Sequence, residues 1–214
     1  PNAEGAVGMF WNASWWRGGG GEKREKGIRS ARRRKREKIS VIVPTLNEAG
    51  SVEKAIRSAR RTTRGAQVEV IVVDGGSEDA TVKRARSLGA KIVRSGRGRG
   101  LQQDMGSKAA TGNLLLFLHA DTELPRRYDS MIHEVFWNAS RHRDAKHIWG
   151  AFGELGIRSK GPLLRCVEFG VKQRTKYLGM PYGDQCHFFH RKAYQESGGY
   201  KHIPFMEDYD MVHR

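Results

Sequence analysis

Apolar positions first fall into order at Ile39. Ile39-Ser40-Val41-Ile42-Val43 is a β-branched run that predicts a strand, ended by Pro44, which has no backbone donor. Residues 51–61 place Val52, Ile56 and Ala59 at i, i+4 and i+7, the spacing of one helix face. Residues 68–73 are almost continuously apolar, as a strand covered on both faces should be. A short helix is predicted over 79–88, closed by Gly89, and a short strand over 91–93. A helix over 102–110 and a strand over 114–118 complete the regular stretch. Apolar strands that alternate with helices predict an α/β fold, a mostly parallel sheet flanked by helices.

The pattern loosens on either side of this stretch. A helix is expected over 127–137, carrying Tyr128, Met131, Ile132, Val135 and Phe136. A strand over 148–157 is interrupted by Gly150 and Gly153, and a helix over 163–171 and a strand over 186–190 follow. Residues 1–38 hold four consecutive glycines at 18–21, a basic run at 32–36, and Phe10, Trp11, Trp15 and Trp16. They read as a disordered or loosely helical basic extension, which leaves 39–214 as the folded domain. Trp-Asn-Ala-Ser occurs at 11–14 and again at 137–140, an echo too short to be a repeat unit.

Composition narrows the partners. At 214 residues, 38% hydrophobic, the chain can bury a core without disulfide staples. Its two cysteines, Cys166 and Cys186, exclude a disulfide-rich secreted scaffold and fit a reducing compartment. The longest apolar stretch is strand-sized, so no membrane span is expected, and a cytoplasmic or organellar location is favoured. The net charge is +16, and Arg17 to Lys38 hold 11 basic and 3 acidic residues, half of that surplus. Such a segment suits an anionic membrane surface or another polyanion. The chain starts at Pro1 and stops at Arg214 just after an acidic cluster, so a fragment truncated at its C-terminus is expected.

Candidate chemistry follows the strong strands. Pro44-Thr45-Leu46-Asn47-Glu48 follows the first, Asp74-Gly75-Gly76-Ser77-Glu78-Asp79 the second, and His119-Ala120-Asp121-Thr122 the fourth. Any one cluster is explained by helix capping. Three together gather at the carboxyl edge of one sheet, where open α/β sheets bind ligands. No strand leads into a G-x-G-x-x-G or a G-x-x-x-x-G-K-[ST] loop, and Gly96-Arg97-Gly98-Arg99-Gly100 fits neither spacing, though its arginines can reach a diphosphate. Carboxylates without a glycine cradle suggest phosphate held through Mg²⁺ or Mn²⁺, with Asp121 as a hard oxygen ligand. Cys186, His187 and His190 match no common zinc spacing, and strand alternation puts His187 on the face opposite the other two.

These segments, with Gly98–Gly106, Pro181-Tyr182-Gly183-Asp184-Gln185 and Met206-Glu207-Asp208, resemble family 2 glycosyltransferases of the GT-A fold, in a bacterial- and plant-type subgroup. The resemblance runs over 39–214. It implies transfer of a sugar from a nucleotide-diphosphate donor to an unknown acceptor, with inversion. Pro44, Thr45, Asn47 and Glu48 would line the nucleotide pocket, Asp74 would reach the base, and Ser77 and Asp79 would support that loop. Arg99, Asp104, Gly106 and Ala120 fall on the same donor side. Asp121 matches the last acid of the family's Asp-x-Asp motif and would hold the metal. His119 stands where many members carry the first Asp, and either a Mn²⁺ ligand or a buried structural histidine fits there. Asp104 replaces a frequent Asn, and its charge would repel a diphosphate unless it points away or helps the metal. Asp208 matches the catalytic base, and Glu207, Gly183, Asp184 and Gln185 fall on the sugar or acceptor side. Two alternatives remain. A nucleotidyltransferase would need a glycine-rich loop that 44–48 lacks. A non-enzymatic protein would bind RNA or an anionic membrane through residues 17–38; nucleic acid is not expected as a partner of the enzyme.

Overall fold

In the computed structural model, residues 9–10, 38–62, 66–139, 149–152, 169–170, 173 and 183–213 are described. Their strands are β1 (Met9–Phe10), β2 (Ile39–Thr45), β3 (Val68–Asp74), β4 (Lys91–Arg94), β5 (Leu114–Phe117), β6 (Trp149–Phe152) and β7 (Phe188–His190). Helices α1 (Val52–Arg60), α2 (Thr81–Ser87), α3 (Arg99–Ala109), α4 (Tyr128–Ala139), α5 (Arg191–Glu196) and α6 (Glu207–His213) alternate with them, and Gly183–Gln185 form one 3₁₀ turn. The sheet runs β1-β6-β7-β5-β2-β3-β4. Strands β5, β2, β3 and β4 are parallel, and β7, β6 and β1 extend the sheet antiparallel. This is the helix-flanked, mostly parallel sheet expected from the alternation. Of the basic extension expected over 1–38, only Met9–Phe10, paired with β6 as β1, and Lys38 are among the described residues, and most of the helix expected over 163–171 lies outside them.

The period-two pattern of each strand sorts its side chains onto two cores. Ile39, Val41, Val43, Val70, Val72, Leu114 and Leu116 pack under α1, α2 and α4. Ile42, Ile71, Val73, Leu115 and Phe117 face α3, α5 and α6. Both faces are therefore covered, which is why β3 reads as an almost continuous apolar run and β5 as an unbroken one. The Tyr128 hydroxyl donates to the Ala59 carbonyl and locks α4 onto α1. Gly106 puts α3 directly on the sheet: a β-carbon there would lie 2.3 Å from Ile42 Cγ2 and 2.9 Å from Val73 Cγ2.

Four boundaries differ from expectation for identifiable reasons. Pro44 does not end β2, which pairs on to Thr45. Backbone groups alternate sides along a strand; the Ile42 carbonyl accepts from Leu118, so the nitrogen of Pro44 faces β5 beyond the last pair, Ile42 with Phe117. No ladder bond is lost there. Helix α3 begins at Arg99, not 102, because Gly98, at φ +131°, turns the chain into it. Helix α2 begins at Thr81, with the Asp79 carboxylate taking the Thr81 N–H at 2.9 Å. Strand β7 starts at Phe188 because Cys186, at φ +52°, is left-handed and cannot join a strand. Alternation along this segment holds: Cys186 and Phe188 enter the first core, while the His187 ring packs with Phe189 and Tyr200 on the other face.

Candidate active site

The carboxyl ends of β2, β3 and β5 share one edge, and each loop that leaves them is built around polar side chains. Loops 45–49 and 74–81 are laced together. Asn47, at φ +56°, donates its N–H to Ser77 Oγ at 2.9 Å and accepts from the Glu78 N–H at 2.9 Å. Glu48 N–H donates to Thr81 Oγ1 at 2.7 Å, and Ala49 N–H to Asp79 Oδ2 at 3.0 Å. The Asp79 carboxyl is held below its usual range by the Thr81 hydroxyl first, which, with the Thr81 and Ala49 N–H groups and the Arg84 charge, outweighs the upward push of burial. Asp74 is fully buried: Arg94 Nη1 lies 2.9 Å from Oδ2, and the N–H groups of Gly76 and Ser77 donate at 3.2 Å. Its carboxylate is thus spent on shaping its own loop. Thr45 is buried, and Pro44 sits beside it in the ladder opposite Val73.

Helix α3 ties this half of the edge to a second. Gln102 Nε2 donates to the carbonyls of both Thr45 and Val73 at 2.8 Å, pinning the ends of β2 and β3. Three residues earlier, Arg99 Nη1 lies 3.3 Å from Glu207 Oε1, an ion pair in which Glu207 is buried. Gly100 admits this contact, since a β-carbon there would lie 2.1 Å from the Lys201 carbonyl oxygen. The Asp104 carboxylate takes Lys108 Nζ at 2.8 Å and His202 Nε2 at 2.9 Å, so its charge is answered by those partners.

The second half centres on His119, Gly183 and Asp208. The Thr122 N–H donates to the His119 carbonyl at 3.1 Å, closing a turn that carries buried Ala120 and exposed Asp121. The Gly183 N–H donates to Asp208 Oδ2 at 2.8 Å, and the Tyr209 N–H to Oδ1 at 2.8 Å. A β-carbon on Gly183 would lie 3.0 Å from His119 Nε2 and 3.4 Å from Asp208 Oδ2, so imidazole and carboxylate meet across that glycine. Partial burial pushes the Asp208 carboxyl up, but the two N–H donors and the nearby His187 ring outweigh it, and the group sits below its ordinary range. It is ionised at neutral pH. Burial, then the Arg99 charge, lowers His119 against the pull of Asp121, Asp184 and Asp208, which keeps the imidazole neutral. Gln185 is buried with its amide on the Phe152 carbonyl at 3.0 Å.

The structure therefore brings Thr45, Asn47, Glu48, Asp74, Ser77 and Asp79 into one laced wall, and Asp121, Gly183, Asp184, Asp208 and Glu207 into another, with Arg99 between. Gly106 is apart from both: it packs against the sheet under α3. Arg94, Gln102 and Gly100 complete the edge; Arg94 lies outside every motif, and Gly100 and Gln102 fall inside the Gly98–Gly106 segment without a role of their own there. Gln102 lies on a helix face whose partner carbonyls are 57 and 29 residues away, so no local spacing marks it.

Among the described residues no three His, Cys, Asp or Glu side chains converge as a closed metal cage. A nucleotide-bound Mg²⁺ or Mn²⁺ does not need one, because it takes one or two protein ligands and completes its shell with phosphate and water. The residues present fit such a site. Asp121 offers an exposed carboxylate whose neighbour is the Thr122 hydroxyl at 3.2 Å, and the buried His119 Nε2 and Asp184 Oδ1 have no hydrogen-bond partner among the described residues.

Comparison with known proteins agrees with this fold. The curated relatives include a dolichol-phosphate mannosyltransferase of Pyrococcus furiosus, 30% identical over 109 residues, 48% of this chain and 31% of that protein. An uncharacterized glycosyltransferase of Rickettsia typhi is 32% identical over 145 residues, 65% of this chain and 48% of the relative. The chain thus spans between about a third and a half of these proteins' length. Among solved structures, a mannosyltransferase of Pyrobaculum calidifontis in complex with GDP-Man and Mn²⁺ has a TM-score of 0.57 at 19% identity, covering 84% of this chain and 51% of its own. S. aureus TarS in complex with UDP has a TM-score of 0.60 at 20% identity, covering 82% and 54%. Both share the α/β architecture described above, the GT-A fold. The model of glycosyl transferase family 2 matches residues 40–197, and with the loops of β2, β3 and β5 built as they are, the chain belongs to that family.

Proposed function

We propose that this protein is an inverting glycosyltransferase that moves a sugar from a nucleotide-diphosphate donor to an acceptor hydroxyl. One observation carries the reading: Asp208, ionised and aimed by two backbone N–H groups, meets His119 across Gly183 at the end of β5, beside Asp121. A base for the acceptor and the turn that carries the phosphate-side anchor thus border one space, where a nucleophile and an anomeric carbon can be held together. Support comes from the relatives, which are named as mannosyltransferase and glycosyltransferase, and from structural neighbours solved with GDP-Man and Mn²⁺ or with UDP.

The laced wall of 45–49 and 74–81 receives the nucleoside, with Asn47 and Glu48 on its rim and Asp74 and Arg94 setting its shape. Arg99, held by Glu207, meets the diphosphate charge. Asp121 holds the divalent cation, which when bound neutralises charge on the departing diphosphate. Asp208 takes the acceptor proton as the oxygen attacks, and a single attack from the face away from the nucleotide inverts the carbon. Gly183, Asp184 and Gln185 shape the sugar and acceptor side.

The test is transfer or donor hydrolysis across UDP-, GDP- and dTDP-sugars with Mn²⁺. Asp208→Asn should cut turnover by about 10²–10⁴-fold while leaving the nucleotide-induced rise in melting temperature in place. Asp121→Ala should weaken the metal-dependent part of that rise. Wild-type turnover in both variants would refute these roles.

A further inference from the structure

The first residue of the 119–122 turn is a histidine at the place where a metal-holding pair of two acids would put a carboxylate. Its Nε2 is buried and has no hydrogen-bond partner among the described residues. An imidazole nitrogen hidden from water and left unpaired is disfavoured unless something occupies it. Gly183 leaves the room: its missing side chain would stand 3.0 Å from that nitrogen and 3.4 Å from its Cε1. The Gly183 N–H fixes Asp208 Oδ2 on the other side of that gap, 3.4 Å from the same missing side chain. Nε2 and the Asp208 carboxylate thus border one hollow, which offers a cation both nitrogen and oxygen donors.

We propose that His119 Nε2 is a metal ligand beside Asp121, so that this chain holds its divalent cation through one imidazole and one carboxylate and selects Mn²⁺ over Mg²⁺. The inference rests on the nucleotide-sugar reading and adds to it the donor set and the metal preference. Mg²⁺ is a hard ion that favours oxygen ligands, whereas imidazole suits transition metals, whose affinity for nitrogen sites rises from Mn²⁺ to Co²⁺. Replacing one acid by histidine also removes one negative charge, which weakens Mg²⁺ more than an ion that bonds nitrogen well.

Pulsed electron paramagnetic resonance of Mn²⁺ added to the full chain with UDP or GDP reads the donor set directly. The wild type should show modulation from one directly bound ¹⁴N, and should bind Mn²⁺ at least about tenfold more tightly than Mg²⁺ by titration calorimetry. His119→Asp should keep Mn²⁺, lose the ¹⁴N modulation and narrow the preference over Mg²⁺. His119→Ala should weaken Mn²⁺ by about tenfold or more, since even outer-shell changes cost about 10–100-fold. If that variant does not fold, the wild-type spectrum and His119→Asp still decide. Bound Mn²⁺ and nucleotide with no ¹⁴N modulation in the wild type would overturn the role of His119 and leave the transferase reading standing. Failure of UDP and GDP to bind with or without metal would overturn both.

Discussion

Far from the candidate site, at the opposite end of the sheet, Glu69 holds a polar knot that offers a clean test of the fold. Its Oε1 accepts from Ser40 Oγ at 2.5 Å, the Thr111 N–H at 2.6 Å and the Gly112 N–H at 3.1 Å, while Oε2 accepts from Lys38 Nζ at 3.0 Å. One carboxylate thus joins the starts of β2 and β3 to the turn before β5. Burial alone would raise this carboxyl, but Ser40, Thr111 and Lys38 outweigh it and hold it at about 2 against an ordinary 4.5. At about 1.4 kcal/mol per unit, that difference has a ceiling of about 3.4 kcal/mol. Solvent reaches part of the group, and screening brings the expected value to about 1–2 kcal/mol. Because the folded pKa is depressed, this stability is complete above about pH 5 and is lost as the pH falls from there toward 2. Glu69→Gln keeps the shape and removes the charge. Urea unfolding of variant and wild type should differ by about 1–2 kcal/mol at pH 7, and by less than half of that gap at pH 3. Nucleotide binding should be unchanged. An equal gap at both pH values, or none at pH 7, would refute the reasoning.

Two further substitutions separate packing from site geometry. Gly106→Ala should lower stability by about 1–3 kcal/mol in thermal unfolding, because the new methyl overlaps Ile42 and Val73 and α3 must lift off the sheet. Gln102→Ala strips the Thr45 and Val73 carbonyls of a shared donor and should cost about 1–3 kcal/mol; the wall of 45–49 would loosen, so the donor KM should rise more than kcat falls.

How much of this was legible beforehand follows from the range of each signal. Alternation along β2, β3 and β5 and the i, i+4, i+7 stripe of α1 are local, so the order of elements and the covered parallel sheet could be read from the chain alone. So could the three polar loops, because in a parallel sheet consecutive strand ends fall on one edge whatever the details. The motif that ends in Glu207-Asp208 pointed to a base, though an acidic helix start explains the same letters, and residues 207–213 do form a helix.

Contacts between distant segments decided the rest. Gly100 and Gly106 look alike in sequence, yet the first yields to the Lys201 carbonyl and the second to Ile42. Pro44 stays in a strand only because β5 stops pairing one step earlier. Gln102, Arg94 and Glu69 draw their importance from partners 20 to 57 residues away. Asp208 becomes a directed carboxylate through the N–H of Gly183, 25 residues earlier, and the same glycine gives His119 its open face. Periodicity records which face of an element is dry. Which polar atom meets which across the sheet edge depends on how the elements stack, and that is set only when the two cores close.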